Sequence, residues 1–123
     1  MTIVRVLAVD DQAAFLHAMT SVAGETPGFE IVGSASSGEE ALALAAGLLP
    51  DLVLMDVNLP GIDGLEATRR LLARDRPPVV LLLSTYDEDV GEHFVAESGA
   101  AAYLTKSAFG PDQLEAAWST AVH

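Results

Sequence analysis

The stretch LVLMDVNLPGIDGLEATRRLL, Leu52 to Leu72, contains one complete strand–turn–helix unit. Leu52–Met55 is continuously apolar and short, the pattern of a strand covered on both faces. Leu65, Thr68, Leu71 and Leu72 then recur at three- and four-residue steps, which is helical spacing. Asp63 followed by Glu66 reads as a capping box that starts this helix. The unit predicts a strand ending at Asp56 and a helix that returns over the sheet.

The same unit repeats outward in both directions. Further apolar runs lie at Ile3–Val9, Glu30–Ala35, Val79–Ser84 and Ala101–Thr105. Helical spacing links Phe15, Leu16, Met19 and Val22, and again Ala41, Leu44, Ala45 and Leu48. Ser37 with Glu40 predicts a second capping box. In the last helix Gly110 is the expected N-cap, with Pro111 at the first helical position, where its missing N–H costs nothing. Phe109 and Leu114 would form a hydrophobic staple, and Leu114, Ala117, Trp118 and Ala121 would be buried. The order is strand then helix, five times over. That predicts an α/β fold, a single (βα)5 domain over residues 1–123 with a parallel sheet and helices on both faces.

Composition narrows the function. The chain has 123 residues, half of them apolar, and no cysteine, which excludes a disulfide framework and a thiolate metal site. No apolar run is long enough to cross a bilayer, and the N-terminus lacks the order of a signal peptide. A cytoplasmic protein is expected. A formal charge of −12 argues against direct nucleic-acid binding and against anionic membrane surfaces. Four of the six basic residues are Arg69, Arg70, Arg74 and Arg76, and Lys106 is the only lysine.

In open parallel sheets, ligands bind beyond the carboxyl ends of the strands. Asp10 and Asp11 end the first run, Asp56 the third, Ser84 and Thr85 the fourth, and Lys106 the fifth. Taken singly, each residue has a local reading: an Asp caps a turn, a Ser bonds its own backbone, and a lysine is solvated. Their joint placement points elsewhere. Carboxylates about 5 Å apart repel by about 3 kcal/mol per pair at an effective dielectric near 20. A cation must offset this, and oxygen donors without Cys or His select Mg2+ or a similar hard ion. Such an ion is usually shared with a phosphate, and Lys106 adds a second positive charge. A spare carboxylate could then act as nucleophile toward phosphorus. His17 and His93 have no partner at ligand spacing, so neither is expected to bind metal. Met19 and Met55 are expected in the core.

These residues and LVLMDVNLPGIDGLE, Leu52 to Glu66, resemble a response-regulator receiver domain of two-component signalling over the whole chain. The resemblance implies a flavodoxin-like fold with strand order 2-1-3-4-5. It implies that Asp56 accepts a phosphoryl group from a sensor histidine kinase. Asp10, Asp11, Asp56 and the backbone carbonyl of Asn58 would hold Mg2+. Ser84 would hydrogen-bond the phosphoryl group, Lys106 would pair with it, and the Asn58 side chain would lie near it. Tyr103 matches the switch aromatic: Ser84 moving inward would let Tyr103 follow and change the surface of the fourth helix, fifth strand and fifth helix. The protein would then be a switch and not an enzyme, apart from its own phosphorylation and autodephosphorylation. Asp87, Glu88, Asp89 and Glu92 make the start of the fourth helix acidic, so a partner docking there should be basic or apolar.

The sequence also departs from the family. Ser107 replaces the usual proline after the lysine. A cis bond before a non-proline costs about 3–4 kcal/mol, so a trans bond is expected, the alternative being a strained cis held by the loop. This omission, with GAAAYLTKS (Gly99–Ser107) and TRRLLA (Thr68–Ala73), resembles receivers linked to helix-turn-helix DNA-binding domains. That implies transcriptional output through a C-terminal domain in a longer protein, and a homodimer through a helix face. Thr85 is bulkier than the usual residue after the switch hydroxyl, and Tyr86 could cover the phosphoryl group. Slow autodephosphorylation is therefore expected. Two rival readings are a pseudo-receiver that only binds partners and an aspartate-nucleophile phosphatase of small molecules. The latter typically has a second Asp where this chain has Asn58.

Overall fold

A computed structural model of the chain describes residues 2–123; the first residue of the expected domain lies outside them. Five strands, β1 (Val4–Val9), β2 (Phe29–Ala35), β3 (Leu52–Asp56), β4 (Val79–Ser84) and β5 (Ala102–Thr105), pair in parallel in the order β2-β1-β3-β4-β5. Five helices alternate with them: α1 (Ala13–Glu25), α2 (Gly38–Leu48), α3 (Gly64–Leu72), α4 (Glu88–Ser98) and α5 (Pro111–Val122).

Side chains alternate faces along a strand, and this divides the core. Val6, Ala8, Leu52, Leu54, Leu81 and Leu83 face one way and meet Met19 and Ala23 of α1 and Leu114 of α5. Leu7, Val9, Val53, Met55 and Leu82 face the other way, onto α2 and α3, with α4 closing that layer through Phe94 and Val95. Continuous apolar runs were the right signal, because both faces are covered. Met19 and Met55 are fully buried.

Three details differ from expectation. The Ser37 hydroxyl accepts from Glu40 N–H at 3.1 Å, but the Glu40 carboxylate accepts from Ser36 N–H at 2.6 Å. Ser37 is extended (φ −149°, ψ 163°), so the donor facing that carboxylate comes from one residue earlier. Asp63 accepts from Glu66 N–H at 2.8 Å, whereas Glu66 turns to Arg70 Nε at 2.8 Å. A full positive charge one turn on is a better partner than a neutral N–H. At α5, Gly110 and Pro111 start the helix as expected, and Phe109 and Leu114 share one cluster. Ala121, however, is exposed: the last turn runs clear of the sheet, and burial ends with Ala117 and Trp118.

The end of α2 has no basic residue of its own. Arg5 donates to the carbonyls of Leu48 and Leu49 at 2.6 and 3.0 Å, and Arg74 to that of Leu42 at 2.9 Å. Arg5 supplies the positive charge that a helix C-terminus favours, whereas Arg74 meets a carbonyl in the body of the helix. No helix is long and apolar enough to cross a membrane among the described residues.

Candidate phosphoryl and metal site

Strand register decides what meets at the carboxyl edge. Val9 is level with Met55, and Asp56 with Leu83, so Asp10 and Asp56 stand side by side on neighbouring strands. Ser84 is level with Thr105, which puts Lys106 one residue beyond. Asp10 and Asp56 are buried, while Asp11 is exposed. One carboxylate oxygen from each of the three lies within 4.8 Å of the others. Asp11, Gln12, Asp56, Asn58, Ser84, Thr85 and Lys106 line a cleft of about 250 Å³ above them. A larger recess of about 490 Å³ between the ends of α2 and α3 is mostly apolar and has no comparable set of acids.

Lys106 holds the carboxylates together. Its Nζ is 2.8 Å from Asp10 Oδ2 and 3.3 Å from Asp56 Oδ1. Burial pulls the Lys106 pKa down, but the close approach of Asp10 and the charges of Asp56 and Asp10 outweigh it and hold the pKa above its ordinary value. Burial pushes Asp56 up to about 6; the Asp10 charge adds to this and Lys106 opposes it. Asp10 Oδ1 accepts from Gln12 N–H at 2.8 Å, which fixes its carboxylate at the start of α1. Asp10 Oδ2 is buried and accepts no well-directed hydrogen bond: the Lys106 distance is short, but the directions are poor. A buried oxygen left in this state, beside two further carboxylates and no sulfur or imidazole, fits a hard divalent cation.

A polar chain leads away from the cleft. Asn58 Nδ2 donates to Ser84 Oγ at 3.4 Å, and the Tyr86 hydroxyl donates to Asn58 Oδ1 at 3.4 Å. The Tyr103 hydroxyl donates to the Tyr86 carbonyl at 2.6 Å. Burial, then Asp87 and Asp56, raise the Tyr103 pKa, so the phenol stays a neutral donor. Phe94 contacts both tyrosine rings edge-on, at 5.5 and 6.5 Å between centroids. The Tyr103 ring occupies the place where a Cβ on residue 91 would stand, so α4 keeps Gly91 in its interior despite the helical cost of glycine. Thr85 and Tyr86 are exposed; Thr85 lines the cleft, and Tyr86 reaches it through the bond of its hydroxyl to Asn58.

Lys106–Ser107 is trans, as no cis peptide occurs among the described residues. His17 and His93 are exposed and stand outside the acidic group. Sequence reasoning missed two residues that shape the site. Glu39 Oε2 accepts from Ile62 N–H at 3.1 Å and ties down the loop between β3 and α3. Phe15 places its ring 4.6 Å from Lys106 Nζ.

The family model for the response regulator receiver domain matches residues 6–119. The chain is a receiver domain of the response-regulator family. It is 45% identical over 106 residues to the response regulator GacA of Pseudomonas viridiflava, covering 85% of this chain and 49% of that protein. It is 35% identical to the transcriptional regulatory protein LiaR of Bacillus subtilis, covering 85% of this chain and 49% of that one. The receiver therefore spans about half the length of these relatives. A crystal structure of a LuxR-family two-component response regulator from Aurantimonas superposes with a TM-score of 0.87 at 28% identity, over 98% of this receiver and 86% of that chain.

Proposed function

We propose that this receiver domain is a phosphorylation-controlled switch whose phosphoacceptor is Asp56. The observation that carries this reading is the single ammonium of Lys106 bridging two buried carboxylates beside an exposed third. Asp56 is mostly ionised at neutral pH and lines the cleft, so it can attack phosphorus in line with the leaving group. A bond forms between an Asp56 oxygen and phosphorus, the bond to the kinase's phosphohistidine nitrogen breaks, and the imidazole leaves. Lys106 pairs with the new phosphoryl oxygens and Ser84 donates to them.

Asp10, Asp11, Asp56 and the Asn58 carbonyl would hold Mg2+. When bound, that ion neutralises charge on the transferring phosphoryl group. The route from Asn58 and Ser84 through Tyr86 to Tyr103 would carry the change to the face formed by α4, β5 and α5. The name of the relative LiaR, a transcriptional regulatory protein, supports transcriptional output, which an attached DNA-binding domain would carry out. A cytoplasmic location, a sensor kinase as donor and a homodimer through a helix face belong to the same reading.

Incubation with Mg2+ and acetyl phosphate, followed by mass measurement, tests it. The protein should gain one phosphoryl mass and Asp56→Asn should gain none. Steady release of phosphate from many esters would instead favour a phosphatase. No gain from acetyl phosphate or from a phosphorylated kinase would favour a pseudo-receiver.

The lifetime of the modification provides a second prediction. Thr85 lines the cleft and the Tyr86 hydroxyl reaches Asn58 beside it, so both would restrict the approach of water to the Asp56 phosphoryl group. Autodephosphorylation should take hours, and Tyr86→Ala should speed it about tenfold. Loss of phosphoryl mass with time measures both. A wild-type half-life of seconds, or no change in Tyr86→Ala, contradicts this role.

A further inference from the structure

We propose that Phe15 is a positioning residue that aims Lys106 through the face of its ring. This rests on the reading of Lys106 as the group that pairs with the phosphoryl oxygens. Lys106 Nζ faces three partners: Asp10 at 2.8 Å, Asp56 at 3.3 Å, and the Phe15 ring at 4.6 Å from its centroid. The negative face of an aromatic ring attracts an ammonium, more strongly where water is scarce, and the Lys106 side chain is only 12% exposed.

The ring is itself held. Phe109 lies at 6.3 Å between centroids and 46° between planes. Phe109 follows Lys106 by one short 3-10 turn, Lys106–Ala108, so the ring bridges α1 and the loop that carries the lysine. The two carboxylates change their interactions when a phosphoryl group and a cation arrive. The ring does not, and it keeps a flexible four-carbon side chain pointed into the cleft. In the sequence Phe15 belongs to the apolar stripe of α1 with Leu16, Met19 and Val22, and leucine would keep most of its apolar volume while losing the ring face.

The test uses the only lysine in the chain. The protein is labelled with 13C-lysine, so one set of side-chain signals reports Lys106. In the wild type the Lys106 Hε protons should be shifted upfield by the ring, relative to their position in the urea-unfolded chain. Phe15→Trp should keep an upfield shift and Phe15→Leu should lose it. In parallel, acetyl-phosphate-driven mass gain should slow about tenfold in Phe15→Leu and recover in Phe15→Trp. An unshifted wild-type signal, or a Phe15→Leu variant that reacts as fast as wild type, overturns the proposal. Should Phe15→Leu not fold, the wild-type shift alone decides. A wild-type protein that takes up no phosphoryl group counts against the switch, while the lysine signal still judges Phe15.

Discussion

Replacing Lys106 by Met will destabilise the metal-free protein by about 3 kcal/mol at pH 7. Met keeps most of the volume and loses the charge. The loss leaves Asp10, at 0% side-chain exposure, and Asp56, at 4%, next to each other without a cation. Breaking a buried ion pair from one side is costly because the remaining charge stays uncompensated. The effect must also depend on pH. Asp56 titrates near 6 in the folded protein, above the ordinary carboxylate value of 3.8. Between those values the native state holds a proton that the unfolded chain has released, so stability falls as pH rises through the window. Without Lys106 the folded pKa moves higher still. The deficit of Lys106→Met should therefore be small near pH 4 and grow as pH rises through 6 and beyond. Adding Asp56→Asn should recover a large part of the loss, because the two changes act on one charge cluster. Urea unfolding in EDTA, read as midpoint at constant m, measures all three effects. A loss under about 1 kcal/mol at pH 7, or one independent of pH, would mean that the ammonium does not compensate the acids.

The sheet was legible because strands buried on both faces become continuous apolar runs, as in Leu52–Met55 and Val79–Ser84. The members of the cleft were legible because strand ends in a parallel sheet converge, and the resemblance then gave each residue a role. Partner choice was not legible. Nothing in the spacing tells Glu66 to turn to Arg70 and not back to Asp63, or Glu40 to bond Ser36. Long-range contacts of single atoms were hidden too: Glu39 on Ile62, Arg5 on the end of α2, and Phe15 on Lys106. Periodicity tells which face is buried, not which atom it meets. Glycines were the least legible. The Asp63 capping box put Gly64 at the first position of a helix with no sign of crowding there, and Gly91 was an unremarked position in an acidic helix start. Both are places where another group needs the space of a Cβ.

Gly64→Ala carries the largest steric penalty expected at the site. Gly64 is buried at the first position of α3, and its N–H donates to the Val57 carbonyl at 2.8 Å. A Cβ there would land on the Asp56 carbonyl oxygen and come within 2.9 Å of the Asp56 carbonyl carbon and Val57 Cα. These are backbone atoms of the strand end that carries the proposed phosphoacceptor, so no side chain can swing away to make room. Either α3 lifts from the sheet or the Asp56–Val57 backbone moves. Overpacking against such atoms costs about 3 kcal/mol. For a domain of this size that corresponds to a fall of about 10 °C in Tm. The two responses are separable. If the backbone moves, uptake of a phosphoryl group from acetyl phosphate falls more than the remaining folded fraction explains. If α3 lifts, the folded fraction reacts normally and only stability suffers. A Tm within about 2 °C of wild type would show that the close approach of α3 to Asp56 relaxes at little cost. The expected result is a large loss of stability with a further loss of reactivity, because α3 is held by the buried side chains of Leu65, Ala67, Thr68 and Leu71. Asp56 and Val57 are buried too, and Val57 N–H donates to the Leu83 carbonyl at 3.1 Å, but the segment ends at exposed Asn58, and it gives way toward the cleft at that end.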